Sequence, residues 1–217
     1  MPSNNYIYKM SNAGGMSTVT RYTDMLAGNT TWNPWEPTGA YDALASVTVP
    51  SGGAASVTFA GIPTGYKHLQ VRYMARDNRA TFAADDLGLQ FNGDTATSSY
   101  ASHRLYGIGS GSGSADAFPS SSALGSLLSG FIGTTATSGQ WGSGIIDILD
   151  YANISKNKTI RVLSGTDTNG GTGSASSQVG ITSGLWLNTG AITSMRIFGF
   201  NGNTLQEYSS FALYGVK

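Results

Sequence analysis

Two histidines, His68 and His103, are the only imidazoles in the chain, so the commonest general base and metal ligand is scarce. Neither stands in a His-x-His or His-Glu-x-x-His spacing, which argues against a transition-metal site. No Gly-x-Ser-x-Gly elbow lies between a strand and a helix to raise a serine nucleophile. Carboxylates need a separate comparison, because glycoside hydrolysis asks for only two. Asp85-Asp86 precedes a strand, and Asp147 and Asp150 flank Ile148-Leu149. Asp147 alternates with Ile146 and Ile148, which puts it on the opposite face from them as an outward charge. Asp150 reads as the start of a turn through Asn153. Asp85, Asp86 and Asp94, with Asn92, form the set that could gather around Ca²⁺, without the spacing of an EF-hand loop.

The glycine-rich runs Gly107–Gly113 and Thr168–Ser174 lack the Lys-Ser/Thr and the following helix of a phosphate-binding loop, so they read as loops. Arg72, Arg76, Arg79 and Arg104 are balanced by Asp77, Asp85 and Asp86, a pattern of surface ion pairs or a subunit contact. Asn153-Ile154-Ser155 is a formal glycosylation sequon, but without a signal peptide it carries no weight. Two tryptophans stand out. Trp141 sits in a Ser-Gly-Gln-Trp-Gly-Ser loop, and Trp186 alternates with Leu185 and Leu187. If the leucines face the core, Trp186 faces outward. Either indole could stack on a sugar ring or fill a subunit interface.

These residues sit on strands. From residue 43 the apolar–polar alternation is regular: Val47 and Val49, Val57 and Phe59, then Leu69, Val71 and Tyr73, and Leu87, Leu89 and Phe91 before the turn Asn92-Gly93-Asp94. Further strands are expected around residues 102–106, 127–132, 144–149, 159–164, 179–187, 191–200 and 208–216, with a low-complexity loop over 107–122. Ten or eleven strands in about 170 residues predict an all-β, two-sheet sandwich of jelly-roll type. No internal repeat suggests a propeller or β-helix. The last strand runs to the end of the chain, so the domain is expected to be carried from its other end.

Residues 1–40 differ, and the division expected is an arm over 1–40 and a β-domain over 41–217. The stretch 17–29 could form one short helix ending at Gly28. Pro34 and Pro37 keep the following segment extended. Tyr22, Met25, Leu26, Trp32 and Trp35 make this arm too apolar for a solvated linker, and they are its expected docking residues on another subunit.

Composition bounds the rest. Thirty glycines and 11% charged residues suit a turn-rich β-protein, while 40% hydrophobic content argues against general disorder. Twelve basic and twelve acidic residues cancel, so no electrostatic attraction to nucleic acid or an anionic membrane is expected. With no cysteine, disulfides and cysteine-based zinc sites are excluded. The segment Met1–Tyr6 has neither a basic n-region nor an apolar h-region, and no apolar run approaches the roughly 20 residues of a membrane span. Synthesis in a cytoplasm is therefore expected.

The stretches Asn12–Gly15 with Thr20–Asn29, Tyr66–Tyr73 after Ile62-Pro63, Gln90–Asp94, Ile146–Ala152 and Ser209–Lys217 resemble those of small structural proteins of tailed bacteriophages, notably phages of marine bacteria and cyanobacteria. The likeness spans nearly the whole chain but carries no catalytic signature. It implies a virion component; a non-enzymatic role without cofactor is expected, with other tail or capsid proteins and further copies of itself as partners. A homotrimer is expected, since phage appendages built from jelly rolls are commonly threefold. Within that role the chain is expected to be a tail fibre or tail-associated adhesin that contacts host-surface glycans. A capsid decoration protein is the alternative. The rival from another class is a glycan depolymerase using Asp147 with Asp85 or Asp86.

Overall fold

The computed structural model describes residues 40–80, 84–96, 98–108, 113–121, 123–168 and 177–217. The short helix expected over 17–29 and the docking residues Tyr22, Met25, Leu26, Trp32 and Trp35 lie outside them. By its contacts the chain divides after Asp42, and the β-domain is the unit Ala43–Lys217.

Among the described residues there are twelve strands: β1 (Tyr41–Thr48), β2 (Val57–Ala60), β3 (His68–Ala75), β4 (Ala84–Phe91), β5 (Tyr100–Ile108), β6 (Gly113–Ser121), β7 (Leu124–Ile132), β8 (Gly142–Leu149), β9 (Lys158–Thr166), β10 (Gln178–Trp186), β11 (Ser194–Gly199) and β12 (Ser210–Val216). They form an all-β sandwich. One sheet has eight strands in the order β1-β12-β3-β8-β9-β10-β5-β6, and the other has four in the order β2-β11-β4-β7.

The core follows from period-2 alternation. Leu69, Val71 and Tyr73 on β3, Ile146 and Ile148 on β8, Ile160 and Val162 on β9, and Phe211 and Leu213 on β12 point to the smaller sheet. Val57, Phe59, Leu87, Leu89, Phe91, Leu124, Phe131, Met195 and Ile197 meet them. The ring of Tyr73 stacks on Phe211 at 5.9 Å between centroids and meets Phe131 edge-on.

Two expectations fail. Residues 113–121, read as part of a loop, form β6, which pairs with β5 from Gly107↔Gly113 to Tyr100↔Ser121. Glycine and serine give this strand little propensity, and the pairing is supported by side chains instead. Arg104 of β5 donates to Asp116 at 2.8 Å and lies 5.0 Å from the Phe118 ring. Trp186, expected on the outside, is 1% exposed and Leu187 is the exposed neighbour. The phase of β10 puts Gly180, Thr182, Gly184 and Trp186 inward. Position 184 is tight: a Cβ there would stand 2.9 Å from the Leu124 side chain of the facing sheet, which would have to shift to admit it. The small positions let β7 approach, and the indole fills the wider end.

Candidate functional site

One end of the sandwich is built by three loops that Arg76 fastens together. Arg76 directly follows β3 and is buried, and its guanidinium donates to the carbonyls of Ala136 at 2.8 Å, Thr137 at 2.9 Å and Gln140 at 3.0 Å. These three bonds fix the β7–β8 loop, which delivers Trp141. The Arg76 backbone meets the β11–β12 loop: its N–H donates to Ser209 Oγ at 3.1 Å, and its carbonyl accepts from Ser209 Oγ and Gln206 N. A cation with a rigid fork of donors suits this task of gathering carbonyls.

Above this floor lies an open cleft of about 480 Å³, whose walls include Asn78, Ser138, Trp141, Gln206, Glu207 and Tyr208. Tyr208 is 69% exposed and has φ of 69°, the left-handed region that a bulky residue rarely adopts. Its N–H is held by the Val49 carbonyl at 3.0 Å. The Glu207 carboxylate accepts from the Tyr208 hydroxyl and raises its pKa. Strain at an exposed aromatic on a cleft rim is where function is commonly found. Trp141 is half-buried and also walls a second cleft of about 660 Å³, which runs past Gly107, Val179 and Gly165. The indole therefore stands between two depressions with its ring available to both. An aromatic platform with amide, carboxylate and hydroxyl groups around it is the chemistry that holds a neutral sugar.

A buried carboxyl pair sets the position of the cleft. Asp77, next to Arg76, and Asp85 at the start of β4 are both buried. Asp77 N–H donates to the Ile132 carbonyl at 2.9 Å, and Asp77 bridges to Leu205. Asp85 accepts from Arg79 Nη1 at 2.7 Å, Asn203 Nδ2 at 2.7 Å, Asn201 Nδ2 and the Asp86 N–H at 2.8 Å. Burial, and then the neighbouring Asp85 carboxylate, push Asp77 up to about 8. Burial also disfavours charge on Asp85, but the hydrogen bonds from Asp77, Asn203, Asn201 and the Asp86 N–H outweigh it and hold Asp85 below the ordinary range. Asp77 thus carries the proton and donates it to Asp85, which gives its otherwise unpartnered Oδ2 a role. Asp85 in turn holds Asn201 and Asn203, the root of the loop that carries Tyr208. Both carboxyls are shut off from solvent, so the pair positions the cleft and has no access to a substrate.

The other candidates of the sequence disperse. Asp147 faces outward on β8, where it accepts from Gln70 at 2.8 Å and Arg161 at 3.0 Å. Asp85 is buried in the other sheet, and stacked sheets are about 10 Å apart, so Asp147 and Asp85 do not form a carboxylate pair flanking one bond. Asp86 pairs with Arg104 at 3.2 Å. The set weighed for Ca²⁺ does not gather. Asp94 accepts from Trp186 Nε1 at 2.8 Å and Asn92 Oδ1 from Thr193 and Ser194 N–H, at the opposite end of β4 from Asp85, roughly 20 Å away at strand rise. Among the described residues no group of three or more His, Cys, Asp or Glu could hold a metal ion. His68 Nδ1 accepts from the Asp150 N–H at 2.9 Å and so fixes the β8–β9 turn, while His103 lies exposed on β5. Asp150 has φ of 48° and opens that turn as its position suggests. Of the sequence candidates for glycan contact, Trp141 lies at the cleft and Trp186 is core. Tyr208 was missed, because nothing in Glu-Tyr-Ser-Ser signals a left-handed aromatic.

A scan against models of protein families finds none that matches the chain, and a search of curated proteins finds no relative.

Proposed function

We propose that the chain is a non-enzymatic structural protein of a bacteriophage virion, a β-domain displayed on the particle by its N-terminal arm and acting as a tail fibre or tail-associated adhesin. The observation that carries the adhesive part is the loop-end cleft with Trp141 and the strained, exposed Tyr208 on its rim. The virion part rests on the sequence resemblance, the apolar arm and the low charge. Strand order supports reading the sandwich as a jelly roll. The pairs β1–β12, β2–β11, β3–β8 and β4–β7 nest one inside another, as when one long hairpin is rolled up, and β5–β6 and β9–β10 extend the larger sheet. A capsid decoration protein is the second reading, favoured by nothing in the cleft and by the arm alone.

The test measures retention and cleavage together. Wild-type protein and Trp141→Ala are presented with host surface polysaccharide, and bound protein and released reducing ends are both recorded. Binding without turnover, lost in Trp141→Ala with the fold intact, is the expected result. Release of reducing ends that Asp147→Asn abolishes would instead establish the depolymerase.

A further inference from the structure

Strand β10 is amphipathic in the opposite sense from a strand that buries one face in its own core. Its inward positions are Gly180, Thr182, Gly184 and Trp186, whereas Val179, Ile181, Ser183 and Leu185 lie on the outer phase, with Leu187 exposed just beyond the strand. The pairing registers extend this across the sheet. Ile181 lies opposite Leu105 of β5 and Leu163 of β9, and Leu163 lies opposite Ile145 of β8. All four point outward and are 38 to 62% exposed, forming one ridge over four adjacent strands. The next outward row toward the Trp141 end holds Gly107, Val179, Gly165 and Ser143, with Met74 beyond them on β3. The glycines of that row leave hollows on either side of Val179, and the second cleft of about 660 Å³ lies along it. The row on the other side of the ridge is polar, with Asp147 and Arg161 neutralising each other at 3.0 Å.

Gly107 is informative because the domain does not need it. Its φ lies outside the left-handed region, and a Cβ there would meet none of the described residues within 4 Å. Glycine in a strand costs stability, so a position that keeps it without a backbone reason leaves room for something else. Leu105, Leu163, Ile181, Ile145, Val179 and Met74 at about half exposure each present on the order of 100 Å², together roughly 600 Å² of apolar surface. That is the top of the range for a monomer's largest patch and three-quarters of the ~800 Å² per partner of a standard interface.

We infer that this face of the eight-stranded sheet is a contact between copies of the chain, the Leu105–Ile181–Leu163–Ile145 ridge of one copy seated in the Gly107–Val179–Gly165 groove of another. An offset of one outward row makes the face complementary to itself, and the paired Asp147 and Arg161 leave no net charge to repel the second copy. The inference takes from the proposed function only the expectation of self-association, and it stands or falls without the virion.

The mass of the full-length chain by light scattering tests it, with Ile181→Asp, Gly107→Val and, as a control on the outer face of the smaller sheet, Thr58→Asp. Wild type and Thr58→Asp should form the same oligomer. Ile181→Asp and Gly107→Val should each raise the dissociation constant by at least on the order of tenfold, as loss of a central interface contact does. Gly107→Val separates association from folding, since valine favours a strand and the monomer should melt no lower than wild type. A Gly107→Val protein that associates like wild type would overturn the surface even if the chain is a trimer. A monomeric wild type would overturn it too. Oxidative footprinting of Met74 would then show whether the face is bare or covered by another segment of the chain.

Discussion

Asp77 and Asp85 offer two chemically identical substitutions with opposite expected outcomes. Asp85→Asn removes the anion that accepts from Arg79, Asn203, Asn201 and the Asp86 N–H. A buried ion pair that loses one partner costs about 3–5 kcal/mol. Asp77→Asn replaces a protonated carboxyl by an amide of the same shape. The amide can still donate to Asp85, and its oxygen can still accept from the Arg79 N–H, a bond of 3.1 Å in the wild type. Its cost should be within about 1 kcal/mol below about pH 4, where the wild-type carboxyl is protonated in the folded and unfolded chain alike. At neutral pH, where unfolding the wild type releases that proton, Asp77→Asn should be the more stable of the two.

The pH dependence follows from the two directions. Asp77 has its folded pKa raised from 3.8 to about 8, so its contribution is full below about pH 4 and is lost as pH rises toward 8. Asp85 is lowered, so its contribution is present above about pH 4 and lost as pH falls through its folded value. Wild-type stability should therefore decline between about pH 4.5 and 8, with a slope approaching ~1.4 kcal/mol per pH unit for one uncompensated proton. Urea unfolding at a series of pH values measures it. In Asp77→Asn the decline should vanish. If Asp77→Asn keeps the wild-type slope, or is as destabilising as Asp85→Asn, the shared-proton account is wrong.

Three further substitutions test the packing of the same domain. Trp186→Phe should cost about 1–2 kcal/mol in urea unfolding, since it keeps an aromatic beside Phe91 and Tyr100 but deletes the 2.8 Å bond to Asp94, whereas Trp186→Ala should cost about 3–5 kcal/mol. Arg76→Met should cost about 2–4 kcal/mol by leaving the Ala136, Thr137 and Gln140 carbonyls unmet, and it should shift Trp141 emission as the loop loosens. Lys158 is buried and donates to the carbonyls of Asn153 at 2.6 Å, Lys156 at 2.8 Å and Thr189 at 2.9 Å; burial lowers its pKa, and Lys158→Met should lower the melting temperature and release amide protection in residues 150–157.

Strand alternation made most of this fold legible, because β3, β8, β9 and β12 bury one face in their own core and read that way. Residues 113–121 were illegible because Gly-Ser-rich β6 owes its pairing to Arg104–Asp116 and the Phe118 ring, contacts between residues more than ten apart in sequence. Trp186 was misplaced for a more instructive reason. The apolar phase of β10 is its outer one, and pattern reading assigns the apolar phase to the core of the same chain. Where a second surface covers a strand, that assumption inverts. At the site, Trp141 was visible as an aromatic in a loop. The Arg76 fastening and the bonds of Asn201 and Asn203 to Asp85 join residues about 60 to 130 apart in sequence, and the Tyr208 N–H meets a carbonyl still farther away, at Val49, none of which a local pattern joins.

The most direct measurement is location on the particle. Antibody raised to residues 43–217 and carried on gold would be imaged on intact virions. Label on the tail is the result this account predicts. Label spread over the head would replace the adhesin by a decoration protein, and particles without label would contradict the virion assignment itself.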